Sequence, residues 1–274
     1  MKIIRVFPTK TAMTPRDDYA FVGDPPMLRP STDEVHVSCT FTWHMARAKR
    51  LAEAWGQYYP VKLGGPAFAS QANGFNPGIY VKQGITFTSR GCNNQCPWCL
   101  VPKYEGKLRE IEIQPGNIIQ DNNLLQCNQS HIAKVFDMLY SQHHVCFCGG
   151  LDSRLLTDSI AEGLRSLRIY QLFFAADTKE SIKPLEKAKQ KLSGFSRDQL
   201  RCYVLLGFNG ETISEAQERL ASVWELGFMP FAQLFQPPEH YIQYSHEWRS
   251  LARTWARPAA MKAVATAQKG YIEQ

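Results

Sequence analysis

The chain has 274 residues, 44% hydrophobic and 20% charged, a composition that supports a full core without disulfide staples and excludes a disordered chain. No stretch approaches the roughly 18 apolar residues of a membrane span, and Met1-Lys2-Ile3-Ile4-Arg5-Val6 turns polar too soon for a secretory signal, so a cytoplasmic protein without a membrane partner is expected. The formal net charge of +6 admits a phosphate-bearing or nucleic-acid partner without requiring one.

Lys2 to Phe7 is a short apolar run and Glu34 to Phe41 alternates, both strand patterns. A helix follows, with Met45, Ala48, Ala52, Trp55 and Tyr59 at three- and four-residue spacing and Thr42 as its expected cap. Val61 to Leu63 then runs into Gly64-Gly65-Pro66. Strand, helix and strand predict a βαβ unit with parallel strands. Two or three strands cannot bury the helix face as a stable domain, so residues 1–80 are expected to pack against the rest of the chain. Residues 70–84, rich in Gly, Asn and Pro, have the composition of a linker.

From Ile85 strand-like runs recur at Ile85–Thr88, Asn117–Leu125, Val145–Cys148, Tyr170–Ala175, Cys202–Leu206 and Pro230–Phe235. Between them, Ile132, Val135, Phe136 and Leu139 form one helical stripe, and Leu155, Leu156, Ile160, Leu164 and Leu167 another. Thr212-Ile213-Ser214-Glu215 is a capping box opening a helix through Leu226, with Gly227 as its stop. Six strands alternating with helices predict an α/β fold with a parallel sheet or partial barrel.

Eight cysteines, at 39, 92, 96, 99, 127, 146, 148 and 202, occur in a chain with no export signal, so free thiols are expected. Three of them form Cys92-Asn93-Asn94-Gln95-Cys96-Pro97-Trp98-Cys99. Eight randomly placed cysteines would produce this C-x3-C-x2-C spacing only about 0.007 times. It lies in the loop after the first strand of the second series, where an α/β barrel builds its ligand site. Three thiolates in one tight loop can hold three corners of a cubane iron–sulfur cluster and leave the fourth iron open to a chelating ligand. The alternative is structural zinc, which wants a fourth ligand; the candidates His44, Cys127 and His131 are distant in sequence.

The stretch from Gly84 to Cys99, with aromatic Trp98 just before the last cysteine, resembles the cluster loop of the radical S-adenosylmethionine (SAM) superfamily. Glu105-Gly106-Lys107-Leu108-Arg109 is similar to the Gly-Lys/Arg-x-Arg stretch of its methylthiotransferase and cobalamin-type members. The resemblance spans residues 85–236. It implies a (β/α)6 partial TIM barrel and a [4Fe–4S] cluster held by Cys92, Cys96 and Cys99. The open iron binds SAM, and one electron from a reductant of flavodoxin or ferredoxin type yields methionine and a 5′-deoxyadenosyl radical. It also implies that Trp98 sits near the adenine and that Asp152 and Arg154, in Gly150-Leu151-Asp152-Ser153-Arg154, reach the ribose or carboxylate. Asp121-Asn122-Asn123 stands where many members carry Gly-Gly-Glu, which places Asn122 near the SAM amino group. Gly207 and Glu211 partly match the fifth-strand motif, and Gln233 on the sixth strand is placed to meet the adenine edge. The resemblance identifies no further catalytic residue.

The helix followed by Val61-Lys62-Leu63-Gly64-Gly65-Pro66 resembles the centre of the cobalamin-binding domain that precedes many such barrels. Asp33-Glu34-Val35-His36 lacks the spacing and glycine of that domain's D-x-H-x-x-G, so a trimmed, Rossmann-like extension without cobalamin is expected. Cys146 and Cys148 fall on one strand face and are expected to pack as small hydrophobes, an auxiliary cluster with Cys127 being the alternative. Cys39 and Cys202, in apolar strands, are expected in the core.

In the tail, residues 237–274, Arg249, Arg253 and Arg257 make a basic stripe beside Trp248, Leu251, Ala252 and Trp255. Basic residues interleaved with aromatics suit nucleic acid; a closing helix with solvated arginines is the competing reading. The expected function is radical modification of a substrate, with nucleic acid or a nucleotide ahead of a peptide or metabolite. The alternative is a non-catalytic iron–sulfur or zinc protein that keeps the barrel.

Overall fold

The computed structural model describes residues 1–68, 75 and 78–264. Of the expected linker, residues 70–74, 76 and 77 lie outside the described residues, as does the end of the tail from 265.

The N-terminal segment builds one sheet from β1 (Ile3–Phe7), β2 (Ala20–Val22), β3 (Glu34–Ser38) and β4 (Val61–Gly64), with α1 (Met45–Gly56) between the last two. The strand order is β2-β1-β3-β4 and every pair is parallel, as the βαβ pattern predicts for β3 and β4. Ala48, Leu51 and Trp55 of α1 pack on Ile4, Val6, Val35 and Val37. Inside that cluster the Trp55 indole N–H donates to the Gly23 carbonyl at 3.1 Å. The helix face therefore buries against its own sheet, contrary to the expectation that it packs against the rest of the chain. The reason is β2, a fourth strand too short to show in the sequence. Thr42 is not the cap of α1: it opens a 3-10 turn, Thr42–His44, that leads into the helix.

The second segment contains β5 (Ile85–Thr86), β6 (Ser89–Arg90), α2 (Val101–Tyr104), β7 (Arg109–Glu110), β8 (Ile118–Ile119), α3 (Gln129–Tyr140), β9 (Val145–Leu151), α4 (Asp158–Ser166), β10 (Ile169–Ala175), α5 (Ile182–Lys191), β11 (Leu200–Leu206), α6 (Ile213–Glu225), β12 (Met229–Leu234) and α7 (His246–Trp255). Six of its strands make a parallel sheet in the order β5-β8-β9-β10-β11-β12, each neighbour following the last in sequence. β6 and β7 pair antiparallel and bracket the cysteine loop. The fold is thus α/β with two parallel sheets. The expected strand over Asn117–Leu125 shrinks to two residues, because Asp121 and Asn122 turn their side chains to the start of the cysteine loop and Leu124–Gln126 coil into a 3-10 turn. Leu155 also leaves its expected helical stripe for a 3-10 turn and is 38% exposed.

The two faces of the six-stranded sheet differ. Leu172, Phe174, Leu200, Cys202, Val204 and Leu206 are 0% exposed and merge with the helices into one core. Alternation sends Phe173, Arg201, Tyr203, Phe231 and Gln233 to the opposite face, where Phe173, Tyr203 and Phe231 are half-buried and Gln233 is exposed. The capping box opens α6 as expected: the Thr212 hydroxyl accepts from the Glu215 amide, and the Glu215 carboxylate accepts from the Thr212 amide at 2.8 Å. α7 buries Leu251 and Trp255, the latter meeting Trp224 edge-on at 6.3 Å, and leaves Arg249 and Arg253 exposed, as a closing helix does. Among the described residues no helix is long and apolar enough to cross a membrane.

Candidate functional site

The cysteine loop leaves β6 and is clamped from two sides. On one side the Cys92 amide donates to Gly106 O at 3.2 Å, and the Leu108 amide donates to Asn93 Oδ1 at 3.1 Å. Glu105 pairs with both Arg90 and Arg109 there. On the other side the Gly91 amide donates to Asn122 Oδ1 at 2.9 Å and the Asn93 amide to Gln126 Oε1 at 2.8 Å. Gly91 has φ +83°, and a Cβ there would stand 2.2 Å from the Lys107 carbonyl oxygen, so only glycine lets the strands bracket the loop this closely.

Cys92, Cys96 and Cys99 are all free and half-buried. The Asn94 amide donates to Cys92 Sγ at 3.4 Å, and Asn123 Nδ2 lies 4.0 Å from the same sulfur. Burial pushes the Cys96 thiol up; the neighbouring Cys99 and Cys92 thiols and Asp177 add to this, and Arg154 opposes it. Burial also raises Cys99, against the Val101 amide. The three thiols thus sense one another's charge. Among the described residues no group of three or more His, Cys, Asp or Glu side chains is arranged as a metal-ion site. The donor set fits an iron–sulfur cluster: three thiols in eight residues, and N–H donors turned to the sulfur of the first.

Asp152 is the hub beside the loop. Its carboxylate accepts from Arg154 Nε at 2.8 Å and Nη2 at 2.6 Å, and from Asn94 Nδ2 at 3.0 Å and Asn123 Nδ2 at 3.4 Å. Burial raises its pKa, but Arg154 and Asn94 outweigh that and hold the carboxyl below its ordinary value. Arg154 is 57% exposed and turns its remaining edge outward. Asn123 is buried, and its Oδ1 has no partner among the described residues. Asp121 is structural: it accepts from the Thr88 amide at 2.6 Å and the Ser89 hydroxyl at 2.9 Å, tying β8 to the start of the loop. Gly149 passes so close that a Cβ would sit 1.7 Å from Asp121 O.

Trp98 closes the loop's other flank, edge-on to Phe208 at 5.4 Å. Behind it lies a cavity of about 490 Å³ lined by Trp98, Asp177, Phe208, Glu211 and Arg219 among others. Asp177 accepts from the Leu205 amide at 3.1 Å; burial raises its carboxyl against the pull of that amide, Arg219 and Trp98. Gly207 donates its amide to Glu211 at 2.8 Å and is covered by the Tyr244 ring, which a Cβ would meet at 2.7 Å.

The structure therefore gathers Cys92, Cys96, Cys99, Trp98, Asn122, Asp152 and Arg154 around one loop. Gly207 joins only through its neighbour Phe208, and Gln233, exposed on β12, pairs in register with Leu205, whose amide bonds Asp177. Asn122 holds the loop rather than facing outward. Sequence reasoning missed Asn94, Asp177, Arg201 and Arg219; the last three were visible only as charged residues in or beside apolar runs. Cys39 and Cys202 lie in the cores, 0% exposed, as expected. Cys146 and Cys148 share one strand face, Sγ to Sγ 2.9 Å, but it is the open face of the sheet rather than the helix-covered core. His36 is 1% exposed, its Nδ1 2.6 Å from Tyr80 Oη and its Nε2 2.8 Å from Glu34, so both ring nitrogens are engaged.

No protein-family model matches the chain, and a search of curated proteins returns no match.

Proposed function

We propose that the chain is a radical SAM enzyme with Cys92, Cys96 and Cys99 as the ligands of a [4Fe–4S] cluster. One observation carries this reading: three free thiols, in the C-x3-C-x2-C spacing, occupy the loop after the first of six sequential parallel strands, with an amide N–H directed at Cys92 Sγ. The sequential strand order also favours a (β/α)6 partial barrel over other α/β arrangements. Once bound and reduced by one electron, the cluster supplies the 5′-deoxyadenosyl radical from SAM.

The chain's own residues supply position. Asn123 Oδ1, buried without a partner beside Cys92 and Asp152, is an acceptor for the SAM amino group. Asp152 orients Arg154, whose free edge suits the SAM carboxylate. The Trp98 and Phe208 rings form an apolar wall for the adenine. Engaged on both nitrogens, His36 leaves the N-terminal sheet as scaffold, with no cobalamin in the reaction.

Under anaerobic conditions with dithionite, standing in for a flavodoxin- or ferredoxin-type donor, the reconstituted protein is expected to convert SAM to 5′-deoxyadenosine, and Cys96→Ala to abolish this. A stable cluster with no SAM binding by calorimetry would instead indicate a non-catalytic iron–sulfur protein.

A further inference from the structure

Arg201 lies on β11, facing the open side of the six-stranded sheet, and is only 6% exposed. A buried guanidinium needs acceptors, and the neighbouring Arg219 shows what full provision looks like. It donates to Ala176 O at 2.9 Å and Leu205 O at 2.7 Å and pairs with Glu211. Arg201 has none of this. Among the described residues its one hydrogen-bonding neighbour is the Met229 sulfur, 3.7 Å from Nη1, and its Nε is buried without a partner. No carboxylate pairs with it. Asp198, whose charge reaches it most directly among the acids, is 68% exposed and already bridged to Lys262.

What surrounds Arg201 is aromatic. The Phe173 and Phe231 rings each lie 5.8 Å from its guanidinium carbon, close enough to attract the charge through their faces. Tyr203 stacks on Phe173 at 4.8 Å and meets Phe231 edge-on at 5.8 Å, its hydroxyl anchored on Cys148 O at 2.8 Å. These three rings are half-buried and stand outside the helix-covered core, so an apolar surface with one cation set in it lines the open face.

We propose that Arg201 anchors the carboxylate of a small organic acid whose flat or apolar body lies against Phe173, Tyr203 and Phe231; naming that acid the substrate rests on the radical SAM reading. A carboxylate fits better than a phosphate. Arg201 is the single lysine or arginine on β9, β10, β11 or β12, so one positive charge meets one negative charge. A phosphate dianion would keep net charge in a low-polarity surround, where an uncompensated charge is costly. Six residues of extended chain, about 20 Å, separate Arg201 from Gly207 at the cysteine-loop end. The acid group therefore points away from the cluster ligands, and the ligand is elongated. The Arg201 site also differs from a nucleic-acid track, which would present several exposed cations.

The test uses the full-length protein and three probes: benzoate, phenylacetate and indole-3-acetate, each against its uncharged amide. Calorimetry is expected to show saturable binding of at least one acid, about tenfold or more tighter than its amide, with Phe231→Ala weakening it. Arg201→Met should lose that binding while melting at the same or a higher temperature, because an unpartnered buried cation is gone. Arg201→Lys should retain part of it. Equal binding of acid and amide, no binding of any acid, or a clear fall in melting temperature for both Arg201 variants would overturn the proposal and make Arg201 structural. Iron and sulfide content, measured on the same samples, separates this outcome from failure of the cluster reading, because acid binding needs no cluster.

Discussion

In the four-stranded sheet the buried His36 is fully engaged, between Glu34 and Tyr80 with its ring stacked on Phe75 at 5.0 Å. In the second segment Arg201 on β11 and Asn123 in the turn after β8 are also buried, and among the described residues Arg201 Nε and Asn123 Oδ1 lack partners. Both sheets are parallel, both pack helices on an apolar face, and both place polar side chains in their interiors. The difference is what those side chains are for. Burying a polar group without a partner costs stability. His36 meets that cost with partners on both ring nitrogens; Arg201 does not, which fits the ligand place proposed for it. Among the described residues Arg29 Nε and His44 Nδ1, outside the four-stranded sheet, are unpartnered too. Under the function proposed above, the N-terminal sheet serves as scaffold and the chemistry falls to the second sheet, with the cysteine loop at its strand ends.

Substitutions confined to one sheet can break that division. The largest effect is expected at Gly149, where a Cβ would overlap the Asp121 backbone at 1.7 Å. Gly149→Ala should cost more than about 4 kcal/mol in chemical denaturation and prevent cluster assembly. Hydrogen exchange should nonetheless find the four-stranded sheet still protected. Next comes Trp55→Ala, which empties the centre of the N-terminal core and should cost about 3–5 kcal/mol. Its loss of exchange protection should stay within residues 3–64; equal loss across β9 to β12 would mean the two cores are one.

A smaller effect sharpens the account of the loop. Glu105 is pushed up by burial but held, on balance, below its ordinary value of 4.5 by Arg90 and Arg109. Its contribution is therefore complete above 4.5 and fades as the pH falls through its lower native value. Glu105→Gln should cost about 2 kcal/mol at pH 7, and the gap from wild type should close in acid unfolding below that range. Smallest of all, Arg253→Ala on the exposed face of α7 should change stability by less than about 0.5 kcal/mol.

The parts legible in the sequence were those carried by local pattern. The cysteine spacing, the β3–α1–β4 unit and the Thr212–Glu215 capping box all depend on residues a few positions apart, and the structure keeps both fold elements, with β3 shortened to Ser38 and without Thr42 as the helix cap. β2 was hidden because three residues are too few for a period. α5 was hidden because its lysine-rich run buries only Leu185 and Ala188. Asn94, Asp177 and Arg201 were hidden for a different reason. What distinguishes them is the presence or absence of a partner on another strand, and no local pattern records that. The burial of the α1 face by its own sheet escaped the sequence for the same reason, since β1 pairs with β2 and β3 across long loops.

Electron paramagnetic resonance can detect the proposed open-iron cluster on Cys92, Cys96 and Cys99. The anaerobically reconstituted, dithionite-reduced protein is expected to carry about four irons and four sulfides per chain. It should show a reduced-cluster signal whose shape shifts when SAM is added and which is lost in Cys96→Ala. One zinc per chain without labile sulfide, or a cluster signal that SAM leaves unchanged, would contradict it.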